Sequence, residues 1–418
     1  MHSASVIDVN LSAVQHNVRL LQQIIGPDCA LCPIVKADAY GLGAVRIAKT
    51  LTACGVDLMA VYTPQEATAL FAAAVGGQIL VLMPVRQIPR ADELYRGLIC
   101  GRLHLTVHDG EHLDDLIRVA DRFGVKIPLH LEIDTGMSRG GCSVAEAPTL
   151  LERIGCHERL ELAGLFTHFA KAEVDAAFTD RQVGRFDRVL ADCAHLIPPA
   201  CRIHAANSSA TLRSSRYHKS MVRIGMAWAG YGLEWLEGGE VILEGQNLQP
   251  AVTWESRIIQ TKTIESGTPV GYGSRWTAKR RSLIGLVPVG YAHGYPLHLG
   301  ATDDRPAWGM VRVLRKLPEE TATGFVPVVG AVSMDQITVD LTELAGSSSD
   351  TGGIEVGTAV ELITADAAAP NHVPTLARAA GTIPHEMLCR LHPRIRRTYQ
   401  FAAAAVHTLS ARATAAAG

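Results

Sequence analysis

The residue best placed to do chemistry is Lys36, in the segment Val35-Lys36-Ala37-Asp38-Ala39-Tyr40-Gly41-Leu42-Gly43. It follows the apolar run Pro33-Ile34-Val35, which reads as a strand end. Lysine is strongly hydrated, so one tucked against an apolar strand end tends to have a lowered pKa and to act as a base or a Schiff-base amine. The plain alternative is a solvated loop lysine. Arg139, His168, Asn207 and Arg223 also stand at or just beyond apolar runs. Singly, each has an ordinary reading: Arg139 as a surface ion-pair partner, His168 as a hydrogen-bonded core histidine, Asn207-Ser208 as a helix cap. No metal site is expected. His104, His108 and His112 are spaced by four, but residues 104–108 alternate like a strand, which argues against one ligating helical face. Cys29 and Cys32 have CxxC spacing without a second pair and read as small buried residues.

The elements that must position these groups follow from the hydrophobic pattern. Short β-branched runs at 31–35, 57–62, 78–83, 103–107, 127–133, 162–168, 202–205 and 221–228 alternate with helical segments such as 109–123 and 180–196. Eight βα units in this span predict an α/β fold of the closed (β/α)8 TIM type, which would gather the strand-end residues at one mouth. From about residue 245 the pattern becomes mostly β, with strands expected at 253–263, 283–289, 310–314, 326–332, 336–341 and 359–364 and a last helix within 373–391. The expected division is a barrel domain over 1–240, a β domain over 241–400 and a disordered Ala-rich tail over 401–418. The 418 residues carry 39 Lys+Arg against 41 Asp+Glu, a formal charge of −2, so a polyanionic partner is not the default. With 48% hydrophobic and 19% charged residues the chain is globular. Nine scattered cysteines, no spanning apolar run and no leader-like start predict a soluble cytoplasmic protein that binds neither membrane nor nucleic acid.

The Lys36 segment resembles the pyridoxal-phosphate lysine motif of the alanine racemase family. The likeness continues in order through Asp134-Thr135-Gly136-Met137-Ser138-Arg139-Gly140, Thr167-His168-Phe169-Ala170, His204-Ala205-Ala206-Asn207-Ser208, Arg223-Ile224-Gly225, Val270-Gly271-Tyr272-Gly273, Val289-Gly290-Tyr291-Ala292-His293-Gly294-Tyr295-Pro296 and Ser333-Met334-Asp335-Gln336. This resemblance implies an amino-acid racemase with pyridoxal 5'-phosphate as cofactor and alanine as substrate. It implies Lys36 as the cofactor-bound lysine and one base, and Tyr272, lent by the partner subunit of a homodimer, as the other. Two bases on opposite faces are what removal and return of an α-proton require. It further implies a phosphate near Tyr40, Ser208, Gly225 and Met226, Asn207 as a further cofactor-binding residue, His168 stacked on the ring, and Arg223 facing the pyridine nitrogen with His204 beside it. Arg139 would contact the phenolic oxygen and the substrate carboxylate, to which Met334 would offer its N–H. Tyr291, Asp335 and Tyr399 would support the site, Tyr399 at its entrance.

The sequence departs from the family pattern at four points. There is an apparent two-residue insertion after Gly225, His293 stands where aspartate is usual, and an arginine replaces a proline in 394–399. Glu132 stands where many members carry a lysine carbamylated by carbon dioxide, and is expected to replace that anion beside Arg139. Rival readings are a racemase for another amino acid such as serine, a pyridoxal-phosphate barrel decarboxylase, and a non-catalytic pyridoxal-phosphate carrier. The decarboxylase would place an acid at the ring nitrogen, and the carrier would lack the β domain.

Overall fold

The computed structural model describes residues 4–90, 92–232, 242, 247–316, 321–346 and 353–401. Eight parallel strands, Ala30–Pro33, Leu58–Val61, Gln78–Val81, Leu103–Val107, Ile127–Asp134, Leu160–Phe166, Arg202–His204 and Met221–Ile224, pair in chain order. The last pairs back onto the first, and a parallel bridge between Ile34 and Ala60 closes the ring. Strands such as Leu58–Val61, buried at every position, read as continuous apolar runs because both faces are covered. The helices between them lie outside. Gly110–Phe123, for example, starts at Asp109, whose side chain accepts the His112 N–H at 2.7 Å, and ends at Gly124 with φ 62°. The molecule thus has the TIM-type barrel the pattern predicts, followed by a mostly β domain.

The second sheet has nine strands, in the order Gln260–Ile264, Ser282–Val287, Ile337–Asp340, Thr321–Val329, Met310–Lys316, Ala359–Ile363, Val252–Arg257, Val6–Asn10 and Arg396–Gln400. Its two end contributions were not foreseen. Val6–Asn10 runs antiparallel to Val252–Arg257 and parallel to Arg396–Gln400, so the start of the chain is built into the β domain's sheet.

Three further expectations are corrected. The strand expected over 221–228 stops at Ile224, and Met226–Ala229 forms a 3₁₀ turn that buries Trp228 completely. The strand expected over 253–263 is two, Val252–Arg257 and Gln260–Ile264. The helix expected within 373–391 is also two, Val373–Ala379 and Pro384–Cys389, because Gly381 turns left-handed at φ 70° and Pro384 starts a new helix. The tail from 402 lies outside the described residues.

Candidate active site

A cavity of about 1370 Å³ opens at the carboxyl ends of the barrel strands. Lys36, Tyr40, Glu132, Arg139, His168, Asn207, Ser208, Arg223, Gly225 and Met226 all line it, so the closed ring brings together what the sequence scatters. Burial first, and the Arg139 guanidinium second, hold the Lys36 ammonium below the usual lysine range.

Lys36 is presented by an unusual turn. Ala37, Asp38, Ala39 and Tyr40 all adopt left-handed backbone, φ 53–55°, a conformation that costs roughly 1–2 kcal/mol per residue. Neighbours over-determine it. The Glu66 carboxylate accepts the Ala37 N–H at 2.6 Å, and Asp38 accepts the Ala44 N–H at 2.7 Å. Gly41, φ 79°, lies against the Leu388 carbonyl, which a Cβ would approach to 2.6 Å. Arg397 Nε donates to the Gly41 carbonyl at 3.1 Å, and the Tyr399 hydroxyl donates to the Leu42 carbonyl at 3.1 Å. Tyr399 therefore braces the lysine turn from below and does not line the cavity. The segment after Gly225 does likewise, since Trp228 Nε1 donates to the Ile34 carbonyl at 3.0 Å, two residues before Lys36.

One end of the cavity is a small polar cradle. Ser208 Oγ accepts the Gly225 N–H at 2.9 Å, and a Cβ on Gly225 would stand 2.7 Å from the Tyr40 hydroxyl. At the other side lies Arg223, buried and satisfied from several directions. It donates to His204 Nδ1 at 2.9 Å, His168 Nδ1 at 3.1 Å, and the Thr167 and Ala205 carbonyls at 2.8 and 3.2 Å. Burial lowers its pKa to about 10, opposed by the Glu132 carboxylate, so it stays cationic at neutral pH. Burial, then Arg223, pushes His168 and His204 well below the usual histidine range.

The expected Glu132–Arg139 pair is not formed. The Glu132 carboxylate instead meets His108 Nδ1 at 3.2 Å, while His108 Nε2 donates to the Leu82 carbonyl at 2.9 Å. Gly141 makes the bend that lets this happen, since a Cβ there would stand 2.9 Å from Glu132 Cγ.

The β-domain residues gather elsewhere. Tyr272 sits on a hairpin tip between Pro269–Val270 and Trp276–Thr277, 74% exposed, and does not line the cavity. Tyr291 N–H donates to the Ser333 carbonyl and Ala292 N–H to the Met334 carbonyl, which brings Tyr291, Met334 and Asp335 onto one exposed edge. A Cβ on Gly271 would lie 3.3 Å from Ala331 N, so the Tyr272 tip borders the same edge. His293 accepts the Gly290 N–H at 3.2 Å and holds the Tyr291–His293 turn.

Sequence reasoning missed Glu66, His108, Arg378 and His385, all cavity-lining. Glu66 had a readable signal, the capping box Thr63-Pro64-Gln65-Glu66, and its carboxylate also accepts the Tyr62 and Thr63 N–H groups. His385 had none. It comes from the second domain to meet the Tyr40 ring edge-on at 5.6 Å.

Comparisons with known proteins cover nearly the whole chain. Family models described as "Alanine racemase, N-terminal domain" and "Alanine racemase, C-terminal domain" match residues 9–232 and 251–399. An alanine racemase of Halothermothrix orenii is 31% identical over 395 residues, 94% of this chain and 96% of its own. The alanine racemase of Streptomyces coelicolor superposes with a TM-score of 0.80 at 30% identity, covering 95% of this chain and 98% of that one. A Bartonella henselae alanine racemase with covalently bound pyridoxal phosphate gives a TM-score of 0.76 at 27% identity, covering 96% and 100%. Both domain matches and full-length likeness lead to one statement: the chain belongs to the alanine racemase family.

Proposed function

We propose that this chain interconverts L- and D-alanine, with pyridoxal 5'-phosphate as its cofactor, in a homodimer whose sites each draw on both subunits. The observation that carries the reading is the convergence of half-buried Lys36, cationic Arg223 and the Tyr40–Ser208–Gly225 cradle in one cavity. The residues fit the cofactor. The cradle has the donors a phosphate needs and the space that a Cβ on Gly225 would fill, and Lys36 is the primary amine for its aldehyde. When bound, pyridoxal phosphate makes an amino acid's α-proton removable by drawing its electrons into the ring.

The chain's own groups then have defined tasks. Lys36, held below the ordinary lysine range, takes or returns the α-proton on one face. Arg139, together with the Met334 N–H of a second copy, orients the substrate carboxylate. Arg223, rather than an acid, would be the charged group offered to the ring nitrogen, which argues against the decarboxylase reading. The opposite face needs a second proton carrier, and no tyrosine of the β domain lines the cavity among the described residues. Exposed Tyr272, beside Tyr291, Met334 and Asp335, is the group a second copy would supply. The reading includes a barrel domain over 1–240, a β domain over 241–400 that borrows its strand Val6–Asn10, and a cytoplasmic setting. No helix among the described residues is long and apolar enough to cross a membrane.

The direct test is purified protein with pyridoxal phosphate, given single-enantiomer amino acids and followed by chiral chromatography. Alanine is expected to racemise fastest; preference for serine or another amino acid would overturn the substrate assignment. Gly225→Ala is expected to weaken pyridoxal-phosphate binding about tenfold, because the new methyl group would stand 2.7 Å from the Tyr40 hydroxyl and occupy the cradle itself. Fluorescence titration of the cofactor measures it, and an unchanged affinity would remove the phosphate from this cradle.

Glu132 supplies its negative charge without carbon dioxide, so activity is expected to be indifferent to bicarbonate. Glu132→Gln leaves His108 without its anion and Arg223 without an opposing charge. A rise in KM of about tenfold with reduced kcat is expected. Steady-state kinetics with and without bicarbonate check both statements.

A further inference from the structure

Behind Arg223 the barrel interior holds a feature that the cavity does not include. His104, His130 and His204, from the strands Leu103–Val107, Ile127–Asp134 and Arg202–His204, are buried and joined ring to ring. His204 Nε2 lies 3.0 Å from His130 Nδ1, and His130 Nε2 lies 3.0 Å from His104 Nδ1. The other nitrogen of His204 faces Arg223 at 2.9 Å.

This arrangement has one consistent proton assignment. A guanidinium only donates, so His204 Nδ1 must accept and its proton must be on Nε2. His130 Nδ1 then accepts from His204, which puts the His130 proton on Nε2. His104 Nδ1 accepts from that in turn, which puts its proton on Nε2 as well. A second proton on any of the three would face another N–H, so all three rings are neutral and point the same way. Burial of each, with the nearby Arg202 and Arg223 charges, agrees. The string ends in cost, because His104 Nε2 is buried with no hydrogen-bond partner among the described residues.

The chain is shaped to hold this string. The pairing of Ile127–Asp134 with Leu160–Phe166 slips by one residue at His130, opposite Gly164. A Cβ on Gly164 would stand 2.1 Å from His130 Nδ1, so only glycine leaves room for the ring. Phe166 stacks on His204 at 4.7 Å and lies under the Arg223 guanidinium at 4.9 Å. Apolar side chains would fill a barrel core without three polar rings and an unsatisfied N–H, so packing alone does not account for the arrangement.

We propose that His104 and His130 are positioning residues for Arg223, acting through His204 as a one-directional string of imidazoles. Donation from His204 Nε2 makes its Nδ1 a stronger acceptor, and each link polarises the next. The guanidinium is thereby fixed in plane and kept charged from a point that touches neither cofactor nor substrate. The effect on catalysis rests on the cavity being the racemase site proposed above; the proton assignment does not.

The test has two readouts. In the full chain labelled with ¹⁵N-histidine, with and without pyridoxal phosphate, the three rings are expected to show the Nε2–H tautomer and no titration between about pH 5 and 8. An Nδ1–H tautomer or a cationic ring in that range overturns the proposal. His130→Leu is expected to shift the His204 resonances and lower kcat about 10- to 100-fold with KM nearly unchanged. His130→Gln, whose carbonyl accepts from His204 and whose amide donates to His104, is expected to recover most of the loss. Wild-type kcat in a folded His130→Leu protein, or no recovery in His130→Gln, overturns it. Should His130→Leu not fold, His104→Leu removes only the last acceptor and is expected to shift the His130 resonances and lower kcat in the same sense; an unchanged kcat there overturns the proposal. Failure of wild-type protein to racemise alanine would instead defeat the functional reading and leave the tautomers as measured.

Discussion

Replacing Lys36 by alanine is expected to abolish the visible absorption of the cofactor-loaded protein and to lower racemisation by about 10³-fold or more. Two functions would disappear together, because in the proposed reaction one amine both holds the cofactor covalently and moves the proton on one face. The left-handed turn from Ala37 to Tyr40 stays in place, since Glu66, Asp38 and Arg397 hold its backbone and not the lysine side chain. Unchanged circular dichroism beside a lost visible band would therefore report chemistry and not unfolding. An absorption spectrum and a chiral assay that both match wild type would sink the assignment of Lys36.

Tyr272→Phe is expected to keep the visible band while lowering turnover by about 10²- to 10⁴-fold, since only the opposite-face proton carrier is lost. The subunit arrangement gives a sharper result. An inactive Lys36→Ala chain and an inactive Tyr272→Phe chain, mixed and allowed to exchange, should regain about a quarter of the wild-type rate. Half of the dimers are mixed at equal concentrations, and each has one site with both native residues and one with neither. Sites built within a single chain would give no recovery at any mixing ratio. The exposure of Tyr272 at 74% in one copy is the structural reason to expect exchange to matter.

The parts of this architecture that were legible in the sequence share a physical cause. Parallel barrel strands are buried on both faces, so they stand out as short apolar runs, and chemistry at a barrel mouth follows each run directly. Lys36, Arg139, His168, Asn207 and Arg223 were all found that way, and the cavity contains every one. What escaped depends on distant partners. Val6–Asn10 is five residues whose pairing is decided far along the chain, and nothing local distinguishes it. The role of His130 depends on Gly164 leaving space in the neighbouring strand, and glycine within a strand announces many things besides a missing Cβ. Glu132 shows the opposite error. Its place at the barrel mouth was visible, but the choice of His108 over Arg139 as partner depends on side-chain reach that spacing does not encode.

The placement of the first strand also dictates an order of events at the ribosome. Ser5 meets Trp254 across 249 residues, and Asp8 meets Thr398 across 390. At a synthesis rate of about 5–20 residues per second, the opening segment waits on the order of 20–80 s for its last neighbour. The barrel strands can find one another during that interval, but Val6–Asn10 remains an open edge until residue 400 has emerged. The sheet is consequently stitched last, and Arg397 and Tyr399, which support the lysine turn from that final strand, arrive last with it. A nascent chain therefore possesses its barrel before it possesses a braced Lys36, and competence for chemistry is deferred until residue 400 has emerged.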